Sequence, residues 1–327
     1  MTGVEAGTRG GGLVTFGEAL GRLTSEHVGL LESGRPLTLS MGGAESNVAI
    51  GAARLGADVT WAGRLGSDSV GDLIERRLRA EGVTTRLTRG AGFTGLMVCS
   101  RRTTGALRVD YHRAGSAASQ LSPADVGDEL VRGADILHVT GITPALGASA
   151  RDTTAWAVRT ARDAGVTVSF DVNFRSKLWS TEEARPVLQD LLEHADILFA
   201  GPEEAALVLG VTLDPSRDDR GRLARLAAQA GPREVVIKDG SRGCLAVIDG
   251  HEYVRDAPTV TTLDPVGAGD AFVAGYLTER LQDVDPQGRL TTAIRAGAYA
   301  VTVPGDCEGL PFRHELDDLE ATTDILR

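Results

Sequence analysis

Asp264-Pro-Val-Gly-Ala-Gly-Asp270 runs straight into the apolar stretch AFVAGYLTERL, so two glycines and an acid open a helix. Gly267 and Gly269 free the backbone for a tight turn and leave no side chain above it. The N–H groups of Gly267, Ala268, Gly269 and Asp270 can then converge on an anion, helped by the positive end of the helix dipole. Asp270 stands beside that anion, where it can take a proton from an attacking hydroxyl. Charge stabilisation on a transferring group and an oriented nucleophile are the two needs of phosphoryl transfer. The plain alternative is an Asp-capped helix after an ordinary glycine turn.

Four further segments bear polar groups at useful places. Met41-Gly-Gly-Ala-Glu-Ser-Asn47 sets paired glycines before a helix, so a polyhydroxy ligand can approach Gly43 while Asn47 donates and accepts. Asp171-Val-Asn-Phe-Arg175 follows the strand-like VTVSF, and the C-terminal ends of parallel strands face the ligand crevice of an open α/β sheet. Asp171, Asn173 and Arg175 alternate and share one side if the chain stays extended. Tyr111-His-Arg113 lies in a β-like excursion, and Lys238-Asp-Gly240-Ser241-Arg-Gly243 makes a glycine-rich turn after EVVI that suits a nucleotide lying over backbone. Each has a bland reading as a capped helix, a solvated loop or an ordinary turn. Of 34 basic residues only Lys177 and Lys238 are lysine, and a compact ammonium is not interchangeable with a guanidinium at a fitted site.

Other chemistries are missing. The chain has no GxxxxGK[ST], no GxGxxG after its first strand, and no HExxH, GxSxG or zinc-type Cys/His spacing. Three cysteines without CxxC spacing argue against a disulfide framework and suit a reducing cytoplasm. A net charge of −11 disfavours nucleic acid, and requires anionic ligands to be attracted locally. No apolar run is long enough to span a bilayer, which disfavours a membrane partner.

The elements that must position these residues follow from periodicity. LVTF (13–16), 59–63, ILHV (136–139), VTVSF (166–170), ILFA (197–200) and EVVI (234–237) read as buried strands. Residues 46–55, 70–80, 149–164, 181–194 and 218–230 read as helices. That alternation predicts an α/β fold with a parallel sheet covered on both faces. Residues 20–40 and 92–115 break the rhythm with β-like alternation and predict a small β-structure that serves as a lid or a subunit contact. Residues 1–12 are polar and Gly-rich and read as a disordered tail.

Taken in order, GGAESN, DVNFR, the turn after VVIK, and DPVGAGDAF resemble the ribokinase-like (PfkB) carbohydrate kinases over residues 13–315, which that resemblance makes one kinase domain. Within that family GGAESNVAIGAARLG, YHRAGSAAS, GITPAL and DVNFRSKLWS are most similar to the 2-keto-3-deoxygluconate kinases. The resemblance implies a three-layer α/β/α sandwich with a small β-lid, and phosphorylation of a sugar-acid hydroxyl by ATP with Mg2+. It implies Asp270 as catalytic base and Gly267, Ala268 and Gly269 as anion hole. Gly43, Asn47, Tyr111, Arg113 and Arg175 would hold the sugar acid, with both arginines supplying positive charge for a carboxylate. Lys238, Gly240, Ser241, Gly243 and Asp264 would lie on the nucleotide side, Asp264 shaping the loop or a cation site, and Asn173 would help position phosphate or metal. Glu204 would act on Mg2+ through water, although the Asn that often stands three residues before it is Gly201 here. A monovalent-cation requirement stays open, and self-association through the lid is expected. Fructokinase, nucleoside kinase and a non-catalytic sugar sensor are the alternatives.

Overall fold

The structure is a computed structural model and describes residues 11–103, 106–214 and 216–320. Most of the expected N-terminal tail lies outside these residues. Gly12 already belongs to the fold, its N–H donating to Asp135 Oδ2 at 2.6 Å.

Among the described residues, thirteen strands form two sheets: β1 (Leu13–Phe16), β2 (Leu20–Val28), β3 (Leu37–Gly42), β4 (Val59–Gly66), β5 (Thr84–Gly90), β6 (Leu96–Thr103), β7 (Ala106–His112), β8 (Ile136–Thr140), β9 (Thr167–Asp171), β10 (Ile197–Ala200), β11 (Glu234–Lys238), β12 (Cys244–Ile248) and β13 (His251–Arg255). The large sheet has the order β13-β12-β11-β10-β9-β8-β1-β4-β5. It is parallel from β11 to β5 and is closed at one edge by the antiparallel β12–β13 hairpin. The helices are α1 (Ala44–Arg54), α2 (Ser69–Ala80), α3 (Pro123–Val126), α4 (Asp128–Arg132), α5 (Ala148–Asp163), α6 (Thr181–His194), α7 (Pro202–Leu209), α8 (Arg220–Ala230), α9 (Ala268–Leu281) and α10 (Pro286–Ala300).

The strands are apolar at successive positions because both sheet faces are covered. Along β10, Ile197 and Phe199 enter the core beneath α1, α2, α9 and α10, while Leu198 and Ala200 enter the core beneath α3 to α8. Two cores on opposite faces of one sheet make the expected three-layer α/β/α architecture. Helix α9 is buried on nearly every side from Asp270 to Glu279, so it is a central element with no solvated face.

The chain builds outward from β1 through β4 to β5, then returns to the other side of β1 and continues through β8, β9, β10 and β11. The order reverses between β1 and β8, and a crevice outside the strand ends at such a reversal is where open α/β sheets bind ligands. The small sheet has the order β3-β2-β6-β7. It is built from the two segments that broke the helical rhythm. Leu20, Met97 and Cys99 form its own apolar cluster.

Candidate active site

The turn before α9 is built as the sequence suggests. Gly267 has φ 79°, and a Cβ there would lie 2.3 Å from the carbonyl oxygen of Asp306, so the position is closed to any side chain. The helix starts at Ala268, which puts Asp270 in its first turn. Asp270 is buried and accepts a hydrogen bond from Asn47 Nδ2 at 2.8 Å; the same nitrogen donates to Asp306 Oδ1 at 2.6 Å. Burial pushes the Asp270 carboxyl up to about 7, with Asp306 and Asp171 adding to the rise and Asn47 opposing it. A carboxylate poised near neutrality beside helix N–H groups can serve as a general base at physiological pH.

A cavity of about 350 Å³ opens onto Asp270 under the small sheet. Its walls carry Gly43, Asn47, Tyr111, Arg113 and Arg175, so all five residues expected on the sugar side meet there. Gly43 has φ 145°, and a Cβ there would lie 2.4 Å from the Glu18 carbonyl oxygen. Arg113 pairs with the buried carboxylate of Glu18, which also accepts from Ser116 Oγ at 3.1 Å, and its guanidinium lies 5.1 Å from the Tyr111 ring centre. Burial raises the Glu18 carboxyl, and the Arg113 charge opposes that rise. Glu45 is fully buried, its carboxyl raised by burial, with Thr140 and Thr143 each donating to Oε1 at 2.6 Å. Arg175 is exposed and makes no ion pair among the described residues. The expectation that both arginines carry spare positive charge is therefore revised. Arg113 is paired within the wall, whereas Arg175 makes no ion pair among the described residues and acts only at longer range on Asp171 and Asp270.

A second cavity, of about 430 Å³, lies on the other side of the turn. Lys238, Gly240, Ser241 and Gly243 line it together with apolar groups such as Pro258, Val260 and Phe272, a surface suited to a flat aromatic base. Lys238, Pro265 and Gly269 line both cavities, so the glycine turn and the lysine form their common wall. Lys238 Nζ donates to both oxygens of the buried Asp171, at 2.9 and 2.8 Å. Burial raises the Asp171 carboxyl and Lys238 opposes it. Asp264 departs from its expected place. It lines neither cavity and is buried against Arg22 at 3.2 Å, and its role in this geometry is to hold the loop.

Glu204 caps α7: Oε2 accepts from Gly201 N–H at 2.8 Å, and Oε1 accepts from Phe174 N–H at 2.9 Å. Glu204 lines the cavity, and each oxygen, with one hydrogen bond made, can accept another, which fits a water-bridged cation. Asn173 does not continue the strand, since its φ is 39°, a left-handed value that Asn tolerates. Asp171, Asn173 and Arg175 still all reach the cavity, by a kinked path in place of the extended one expected.

The sequence reading missed Glu18, Arg22, Glu45 and Asp306 as wall residues. Glu45 lies inside the GGAESN segment but was given no role there, and the other three stand in no such segment. Glu18 lies in the β1–β2 junction, Arg22 on β2, and Asp306 in a loop far along the chain. A signal did exist for Glu18, an acid beside Gly17 directly after the apolar run LVTF.

The sequence matches the family of pfkB carbohydrate kinases over residues 12–313. It is 34% identical to a 2-dehydro-3-deoxygluconokinase of Bacillus subtilis (strain 168), covering 93% of each chain. It is 33% identical to a fructokinase of Escherichia coli, covering 88% of this chain and 94% of that one. The crystal structure of 2-dehydro-3-deoxygluconokinase from Thermotoga maritima superposes with a TM-score of 0.86 at 30% identity, covering 94% of this chain and 97% of that one. Two cavities meeting at a glycine turn and its aspartate are thus carried by a sequence that matches one kinase family along nearly its whole length, and the chain belongs to the pfkB family of carbohydrate kinases, with the ribokinase-like fold.

Proposed function

We propose that this kinase transfers the γ-phosphoryl group of ATP to the 6-hydroxyl of 2-keto-3-deoxygluconate, giving 2-keto-3-deoxy-6-phosphogluconate and ADP. The observation that carries the reading is the common wall: Gly269 and Lys238 face both cavities, and Asp270 opens into the sugar side. With the sugar acid under the small sheet and ATP over Gly240–Gly243, the Asp270 carboxylate takes the hydroxyl proton as the oxygen attacks phosphorus. The bond from phosphorus to the ADP oxygen breaks, and the N–H groups of the turn stabilise the charge on the transferring group. Lys238 steadies the phosphates from the same wall. Mg2+, when bound with ATP, offsets phosphate charge, and Glu204 would hold it through water, with Asn173 nearby.

Arg175 supports a carboxylate substrate, because its guanidinium reaches the cavity, is exposed, and makes no ion pair among the described residues. The fructokinase relative supports the second reading, a neutral hexose in the same cavity. A coupled ADP-release assay over sugar acids, hexoses and nucleosides, with the product identified by phosphorus NMR, tests the choice. Turnover led by 2-keto-3-deoxygluconate supports the proposal; turnover led by a hexose or a nucleoside overturns it.

Residues 13–315 act as one kinase domain in this reading. Val28, Leu30, Leu31, Leu37 and Leu39 of the small sheet and its β2–β3 connection are exposed, which supports self-association through that sheet. Among the described residues no helix is long and apolar enough to cross a membrane, and Cys99, Cys244 and Cys307 are free and buried. Free thiols suit a cytoplasmic location.

A further inference from the structure

Arg22 stands on β2 of the small sheet, 2% exposed, with its side chain on the wall of the sugar-side cavity. A buried guanidinium stays charged, and it is costly unless it is paired. Its ion pair among the described residues reaches out of its own sheet: one terminal nitrogen donates to Asp264 Oδ2 at 3.2 Å. Arg101 on β6 approaches the other oxygen, Oδ1, at 3.6 Å. Two arginines of the small sheet therefore converge on one aspartate at the root of the glycine turn.

Asp264 passes that hold onward. Its Oδ1 accepts from the Val266 N–H and its Oδ2 from the Gly305 N–H, each at 3.4 Å. The next residue, Asp306, packs its carbonyl against Gly267 and its carboxylate on Asn47, which also holds Asp270. Burial pushes the Asp306 carboxyl up to about 6, and the Arg22 charge is the leading influence against that rise. Arg22 is the buried cation that the small sheet supplies next to Asp306, and it opposes the cost of burying that carboxylate.

We propose that Arg22 is a positioning residue for phosphoryl transfer, locking the small sheet to the 264–270 turn through Asp264 and thereby holding the turn N–H groups and the Asp306–Asn47–Asp270 chain in their working geometry. The proposal rests on the turn as the site of transfer. A role in folding alone would lower stability and leave turnover per folded molecule unchanged.

Steady-state kinetics on the full chain test it, with R22M, R22K, D264N and the R22M/D264N double variant. Melting temperatures are measured alongside, and each KM is measured for both substrates. R22M is expected to lower kcat by at least about tenfold while each KM stays within about threefold, the pattern of an interaction that acts on the transition state. R22K should recover part of that loss, and millimolar methylguanidinium should partly restore R22M. Because Arg22 acts through Asp264, the double variant should be no slower than the slower single variant. A kcat for R22M within about twofold of wild type, or losses that multiply in the double variant, overturns the proposal. Should R22M fail to melt cooperatively, R22K and D264N carry the same test, and a kcat within about twofold of wild type in both overturns it. Activity of the unaltered protein on the sugar acid is read in the same assay, so failure of the substrate assignment is seen separately.

Discussion

At the residue scale the account turns on Asp270. Its carboxyl, pushed up to about 7 by burial and by Asp306 and Asp171, must be deprotonated to accept the hydroxyl proton. The kcat/KM for the sugar should therefore rise with pH through about 7 and level off above it. Asp270→Asn keeps the size of the side chain and removes the base. It should cut kcat by about two to four orders of magnitude and abolish that acid limb, with binding retained. Near-wild-type turnover, or an acid limb that persists unchanged in the variant, would contradict the assignment. Asp270 was legible in the sequence because chemistry and local structure coincide there, in two glycines, an acid and a helix start. Asn47, Arg175 and Lys238 were legible for the same reason, Asn47 in the first turn of a helix after paired glycines and the other two in segments at strand ends. Asp306 and Arg22 were not, because only the packing of distant segments brings them to the turn. The pairing of Arg113 with Glu18 was invisible for that reason too, and it changes which arginine is free.

At the scale of elements, the glycine turn and the strand-end lysine do separate work. Gly267→Ala would force an alanine into a left-handed backbone with its Cβ 2.3 Å from the Asp306 carbonyl oxygen. The turn must shift, so kcat should fall at least about tenfold and unfolding free energy should drop by roughly 1–3 kcal/mol, measured by denaturant titration. Lys238→Ala leaves the buried Asp171 without its cation and strips the common wall of its charge. The KM for ATP should rise more than the KM for sugar, and an unchanged ATP KM would reduce Lys238 to a structural partner of Asp171. The strands of the large sheet that bury both faces, such as ILFA and EVVI, were read close to their observed limits because burial on two sides leaves an unbroken apolar run. β5 and β13 were harder to read, and β12 was missed although CLAVI is a fully buried run. β5 and β13 are the two edge strands of the large sheet, and the residues of both are half-buried or exposed, so neither carries the run that marks an interior strand.

At the scale of the whole molecule, the small sheet and the overall charge set the terms. The exposed Leu37 and Leu39 predict self-association, so light scattering should give a mass that is a multiple of the 34.2 kDa chain. The double substitution Leu37→Glu and Leu39→Glu should return it to a single chain, and a wild-type chain that is already monomeric would contradict the expectation. The net charge of −11 repels an anionic substrate, but salt screens that field beyond roughly 8 Å. Inside the cavity a charge-assisted contact from Arg175 contributes roughly 1.5–3 kcal/mol, so the local contact outweighs the distant field. The most direct measurement is the ratio of kcat/KM for 2-keto-3-deoxygluconate to that for fructose, in wild type and in Arg175→Ala. The account predicts a ratio of at least about ten in wild type, equivalent to roughly 1.4 kcal/mol, with most of it lost in the variant. A wild-type preference for fructose, or an Arg175→Ala variant that weakens both substrates equally, would contradict it.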